Sequence, residues 1–305
     1  MTFLSPALSW VAFAVLSAVL LGIYDVAKKA SVQGNAVLVV LFACSASGLA
    51  IFLPIGALSL AAPAWAQSHG ILIAELSWRD HALVVAKAVL VTLSWVLTFF
   101  ALKHLPISLA SPVRASAPLF TLLGAVVLFG ERPSARQILG IAVILLAYWV
   151  FSLIGRTEGI RISRNAWVWS LFLGTLVGAA SGLYDKHLLQ TAHLPALAMQ
   201  FWFTAYTTLI QGAIVLFLWW PRHAQHTPFC WRWTIAAVGV LLLLSDALYF
   251  HALAMPGALV SVISTVRRTN VVLSFALGSL LFGERYRLRK SFALAGVIAG
   301  VFLIL

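Results

Sequence analysis

Two five-residue segments, 153 positions apart, place guanidinium groups deep inside long apolar stretches. They are Pro112-Val113-Arg114-Ala115-Ser116 and Thr265-Val266-Arg267-Arg268-Thr269. An arginine in hydrocarbon costs roughly 2.5 kcal/mol or more to insert, so a chain that keeps several must use them. A guanidinium is a planar fork of donors matched to carboxylate or phosphate. Ser111, Ser116, Ser264, Thr265, Thr269 and Asn270 surround the arginines with small hydrogen-bonding groups, the lining expected of a wet cavity. Arg114 lies about 11 Å along its stretch at 1.5 Å per residue, within reach of the interface if the side chain snorkels. Arg267 and Arg268 project about 100° apart on a helix, so both do not snorkel along one lipid face.

The acid best placed to meet them is Asp246, directly after Ser245 in the preceding apolar stretch. A structural ion pair is one reading. Three arginines against one acid leave a positive surplus, and that surplus favours an anionic cargo. Ser94, Trp95, Ser111 and Tyr249 are the candidate cavity walls, and His251 is a candidate proton carrier. Tyr24-Asp25, with Lys28 and Lys29, and Tyr184-Asp185, with Lys186, stand near the ends of their stretches. Such groups form either local salt bridges or gates that exchange partners between two states. Lys87, seven residues before Ser94, reads as a lone cation near an entrance, either snorkelling, gating or held in an ion pair.

These groups need a scaffold, and composition dictates its kind. The chain has 305 residues, of which 62% are hydrophobic and 9% charged, against about 25% charged in soluble domains. Apolar runs fall near 7–27, 36–58, 81–102, 107–129, 137–155, 166–187, 196–219, 231–254, 257–282 and 289–305. Each approaches the length needed to cross about 30 Å of hydrocarbon. Strand alternation is absent, so the expected fold is an all-α membrane protein of ten transmembrane helices. The first run lacks the basic start and cleavage site of a secretory signal and is expected to stay as a helix. Net charge is +12, but most basic residues fall in connections between runs, which argues against a nucleic-acid partner. Cys44 and Cys230 have no partner motif and read as free thiols, and no metal-ligand set, cofactor loop or catalytic motif is present.

The halves repeat each other. Gly22-Ile23-Tyr24-Asp25 recurs as Gly182-Leu183-Tyr184-Asp185, Ser94 as Ser245, and Phe129-Gly130-Glu131-Arg132 as Phe282-Gly283-Glu284-Arg285. Five runs per copy is an odd number, so two fused copies must insert in opposite senses. The predicted units are residues 1–155 and 156–305, two inverted five-helix repeats in one membrane unit. Counting basic residues by connection gives twelve on one face and four, including Lys186, on the other. The richer face is expected to be cytoplasmic, with both termini outside the inner membrane.

With its paired Gly-Glu-Arg closings and Gly-rich final run, the whole chain resembles the EamA type of the drug/metabolite transporter superfamily. That likeness implies ten helices, a central cavity, and export of small metabolites without ATP. At the cationic site the chain is also similar to plastid triose-phosphate translocators. Those hold phosphate with a cation on the fourth helix and a Lys-Arg pair on the ninth. Arg114, Arg267 and Arg268 stand at corresponding places, with arginine in place of the first lysine. The expectation is a secondary transporter of a small organic anion bearing phosphate, phosphonate or carboxylate. Its partners are that anion, membrane lipids, and a coupling proton or counter-anion. Two other cargoes fit the same residues. One is an amino acid or amphipathic metabolite, with an arginine on its carboxylate and Asp246 on its ammonium. The other is a lipid carrier gripped by its phosphate.

Overall fold

The computed structural model describes residues 6–104, 113–114, 116–154, 165–225, 227–270, 272–274, 276–277 and 287–304. Among them every regular element is a helix. Helices α1 (Pro6–Val32), α2 (Val37–Ala61), α3 (Pro63–Ser68) and α4 (Trp78–His104) come first. After them come α5 (Ala117–Phe129), α6 (Ala135–Ile154), α7 (Ala166–Lys186) and α8 (Ala196–Ile214). The chain ends with α9 (Trp233–Ala254), α10 (Val260–Arg268) and α11 (Arg287–Ile304). Helix α7 runs on into a π turn, His187–Thr191, and α8 into another, Val215–Trp219. Among the described residues, six stretches are long and apolar enough to cross a membrane: 10–32, 37–61, 78–98, 166–191, 196–223 and 233–254. The protein is a multi-pass membrane protein. The expected spans 107–129 and 257–282 fall partly outside the described residues. Ser111 and Gly283-Glu284-Arg285 lie outside them altogether.

Apolar residues cover nearly all sides of these helices, as in segments solvated by lipid and by one another. What chooses the packed face is smallness. A Cβ on Gly239 of α9 would overlap the Cys44 carbonyl oxygen of α2, so those backbones approach closely because no side chain stands between them. Gly140 of α6 and Gly300 of α11 do the same, with a built Cβ on the former 2.7 Å from the latter's carbonyl oxygen. Helix α1 packs on α9 and α10, and α4 on α7 and α8. Between these pairs α2 lies against both α8 and α9, α5 packs on α7 and α10, and α6 pairs with α11.

The Phe-Gly-Glu-Arg closing has a local explanation. Gly130 takes φ +62° at the end of α5, a left-handed conformation that glycine adopts without strain. Gly130 N–H then reaches Val126 O, the 5→1 bond of an αL ending, and Glu131 N–H reaches further back to Ala125 O. The turn directs Glu131 back into the bundle, where it is buried.

Candidate functional site

Helix α10 brings Arg267 to the crossing of α1 and α9. Its Nη2 donates to Asp246 Oδ1 at 2.7 Å, and its Nε donates to Ser17 Oγ at 3.1 Å. Its guanidinium carbon stands 4.1 Å from the centre of the Tyr249 ring, a cation–π contact. Ser17 and Ser245 clamp the crossing, since each hydroxyl donates to the other's carbonyl oxygen, at 2.9 and 3.1 Å. The structural ion pair is therefore formed, one of the two readings the sequence left open. Arg267 is neutralised by Asp246.

Asp246 also lines a pocket between α2, α4, α8 and α9, of about 360 Å³ including some open space. Trp95, Gln200, Phe203, Thr204 and Thr207 line it too. A second small hollow shares Trp95 and is bordered by Thr92 and Gln211. Three buried polar atoms at these hollows, Thr92 Oγ1, Thr207 Oγ1 and Gln211 Nε2, have no hydrogen-bond partner within the protein. Their residues are 4%, 2% and 4% exposed, so bulk solvent does not satisfy them, and a buried unmet polar group costs about 1–3 kcal/mol. Ser45 Oγ donates to Gln211 Oε1 at 2.9 Å, which fixes the amide with its Nε2 donors unspent. The arrangement offers a carboxylate at one end, unsatisfied amide and hydroxyl groups at the other, and aromatic rings between.

Behind the pocket wall lies a second buried ion pair. Lys87 Nζ pairs with Asp185 Oδ1, and Tyr249 donates its hydroxyl to Asp185 Oδ2 at 3.1 Å. The Lys87 ammonium also sits over the rings of Phe203 and Phe250, at 4.5 and 5.2 Å. Lys87 is thus 2% exposed and ion-paired, which corrects its reading as a snorkelling cation at an entrance. Asp185 and Lys186 take separate partners. Lys186 Nζ donates to Glu131 Oε1 at 2.6 Å, so no salt bridge within the Tyr184-Asp185-Lys186 run is made. Lys186 is buried in α7 and does not belong to a connection. Glu131 further accepts from Val260 N at 2.7 Å and from Ser261 N at 3.2 Å, capping the start of α10. Tyr184 donates its hydroxyl to Leu83 O at 3.3 Å.

Tyr24 and Asp25 do not end their span, because α1 continues to Val32 and keeps Lys28 within the helix. Asp25 Oδ2 accepts from Asn270 Nδ2 at 2.6 Å and from Ser274 Oγ at 3.3 Å, tying α1 to the chain beyond α10. Lys28 lies within electrostatic range of Asp25, Arg114 and Arg268. Arg114 also acts on the Tyr24 hydroxyl. Arg114, Lys28 and Arg268 are each half-buried, and with Asp25 they share one neighbourhood beside α1.

Of the wall residues expected from sequence, Trp95 borders both hollows and Tyr249 stands behind Asp246. Ser94 spends its hydroxyl on the Gly174 carbonyl at 2.7 Å, fastening α4 to α7. His251 is exposed against Phe13. Sequence reasoning missed Gln200, Thr204, Thr207 and Gln211, although their spacing of four, three and four residues draws one polar stripe along an apolar helix. It also missed Ser17, whose type and position carry no signal of their own.

Three comparisons bear on this geometry. Residues 8–153 match the EamA-like transporter family. None of the curated proteins matches the chain. A solved structure titled "Crystal structure of protein" superposes with a TM-score of 0.71, covering 97% of this chain and 98% of its own, at 16% identity. At that identity the likeness shows a shared fold.

Proposed function

We propose that this multi-pass membrane protein is a secondary transporter of the EamA type. Its cargo is a small zwitterionic or amphipathic metabolite, moved by alternating access. The family match over the first half supports the transporter class. One observation carries the cargo: Asp246 borders the pocket while bonded to Arg267, 2.7 Å away. A zwitterion entering there offers its ammonium to Asp246 and its carboxylate to Arg267, or to the unspent Gln211 amide. It replaces the ion pair without leaving either charge bare, which keeps the desolvation cost low.

The pattern of helix contacts supports two inverted repeats. Moving each partner on by one repeat turns α1 on α9 into α7 on α4, and α1 on α10 into α7 on α5. The pairs α2 with α8, α5 with α10, and α6 with α11 map onto themselves. The orientation read from charge is retained as a proposal, with both termini outside the inner membrane. Removing Lys186, which is buried within α7, leaves twelve basic residues against three.

A second reading rests on the other cluster. Arg114, Arg268 and Lys28, which share a neighbourhood with Asp25, suit an organic anion with phosphate, phosphonate or carboxylate groups. Thermal stabilisation of the purified protein separates the two. Zwitterionic amino acids should raise the melting temperature of wild type and lose that effect in Asp246→Asn. Stabilisation by phosphorylated metabolites that disappears in Arg114→Ala, with no response to amino acids, would replace the first reading with the second.

A further inference from the structure

Lys87 and Asp185 line neither hollow, yet they are wired to the pocket by two routes. Phe203 presents its ring to both the pocket and the Lys87 ammonium. The second route runs from Asp246 to Arg267, across the Tyr249 ring, and through the Tyr249 hydroxyl to Asp185. A buried ion pair is weak support for stability, since apolar residues of similar volume often serve as well or better. Its retention one layer behind a pocket asks for another use. Intramembrane carboxylates paired this way are the usual stations of proton movement.

We propose that Asp185 is the coupling-proton site of the carrier, with Lys87 as its fixed counter-charge; this rests on the transporter reading. The groups around Asp185 are Lys87 from α4 and Tyr249 and Asp246 from α9, with Arg267 of α10 one step further off, against the Tyr249 ring. Glu131, beyond α5, is engaged with the neighbouring Lys186. Two cations, Lys87 and Arg267, stand against two carboxylates, Asp185 and Asp246, so the resting chain of charges is neutral. One proton added to Asp185 from water converts the carboxylate to the acid and leaves the chain at a net charge of plus one. The Phe203 and Phe250 rings hold the ammonium while its counter-charge is gone.

The excess positive charge then opposes an ammonium at Asp246, because charges in low dielectric interact strongly. Proton and cargo therefore exclude each other, and return of the proton to the opposite aqueous phase accompanies cargo movement the other way. The result is antiport, with Asp185 alternating between acid and carboxylate and no other bond made or broken.

Infrared difference spectra of the purified protein in lipid films, between mildly alkaline and mildly acidic buffer, read the site without any cargo. The carboxylic-acid C=O signal of wild type should lose a component in Asp185→Asn and keep it in Asp246→Asn. An unchanged signal in Asp185→Asn overturns the proposal. The double variant Lys87→Met with Asp185→Leu removes both charges together and guards against misfolding. In proteoliposomes with radiolabelled leucine and phenylalanine as probes, it should retain exchange but lose accumulation driven by a pH gradient. Accumulation equal to wild type overturns the proposal. If neither probe moves in wild type, the transporter reading with this cargo fails, while the infrared comparison still decides the proton site.

Discussion

At Asp246 two demands meet in one carboxylate: it neutralises Arg267 and it faces the pocket. The two side chains are only 16% and 18% exposed, so removing one partner strands the other in low dielectric. Asp246→Asn should destabilise the protein by about 3 kcal/mol, and Arg267→Gln by a similar amount. The double variant should recover most of the loss in melting temperature while remaining without ligand stabilisation. Recovery of both would show that the pair is structural only. The arginines themselves were legible in the sequence, because charge inside an apolar run is conspicuous. Which acid meets which base was not. Asp185 finds Lys87 from 98 positions away, and Lys186 finds Glu131 from 55 away, since partners are chosen by helix crossings.

Among the elements, α10 depends most on a neighbour for its start. Leu259 at its N-cap has no side-chain acceptor to offer, and Glu131 supplies one from beyond α5. The carboxylate also meets the positive end of the helix dipole. Glu131→Gln keeps an acceptor but strands Lys186, and should lower stability by about 3 kcal/mol. Lys186→Met alongside it should restore much of that loss, as thermal unfolding in detergent would show. The α2–α9 crossing makes a separate demand. Gly239→Ala pushes a methyl group into the Cys44 carbonyl, and overpacking of this sort costs about 1–3 kcal/mol. A similar Ala at Gly70, where nothing lies within 4 Å, meets only the strain of φ +70° and should cost less. The Gly-Glu-Arg closing was visible as a repeated motif. Its job was not, because a helix cap supplied from another part of the chain leaves no mark in local spacing.

For the whole molecule, the closest helix pairings join an element before residue 155 to one after it: α1 with α9, α4 with α7, α2 with α8, α5 with α10, α6 with α11. Each half presents surfaces that only the other half covers. A chain cut within residues 155–164 should therefore yield fragments that are degraded when expressed singly. When co-expressed they should co-purify as one assembly. A first half that folds and purifies alone would contradict this interleaving.

The sequence by itself determined that this is a helical membrane protein, that its halves resemble each other, and that charge is kept inside the bilayer. Those properties follow from residue type and period, which are local. Only the tertiary structure decided that Arg267 is neutralised, that Lys87 is buried beside Asp185, and that Asp246 faces a hollow with unmet polar atoms. Most of the helices are apolar on nearly every side and, the polar stripe of α8 and the amphipathic α10 apart, carry little to say which face turns inward. Small residues and buried hydrogen bonds make that choice, and they act across the bundle between residues far apart in the chain.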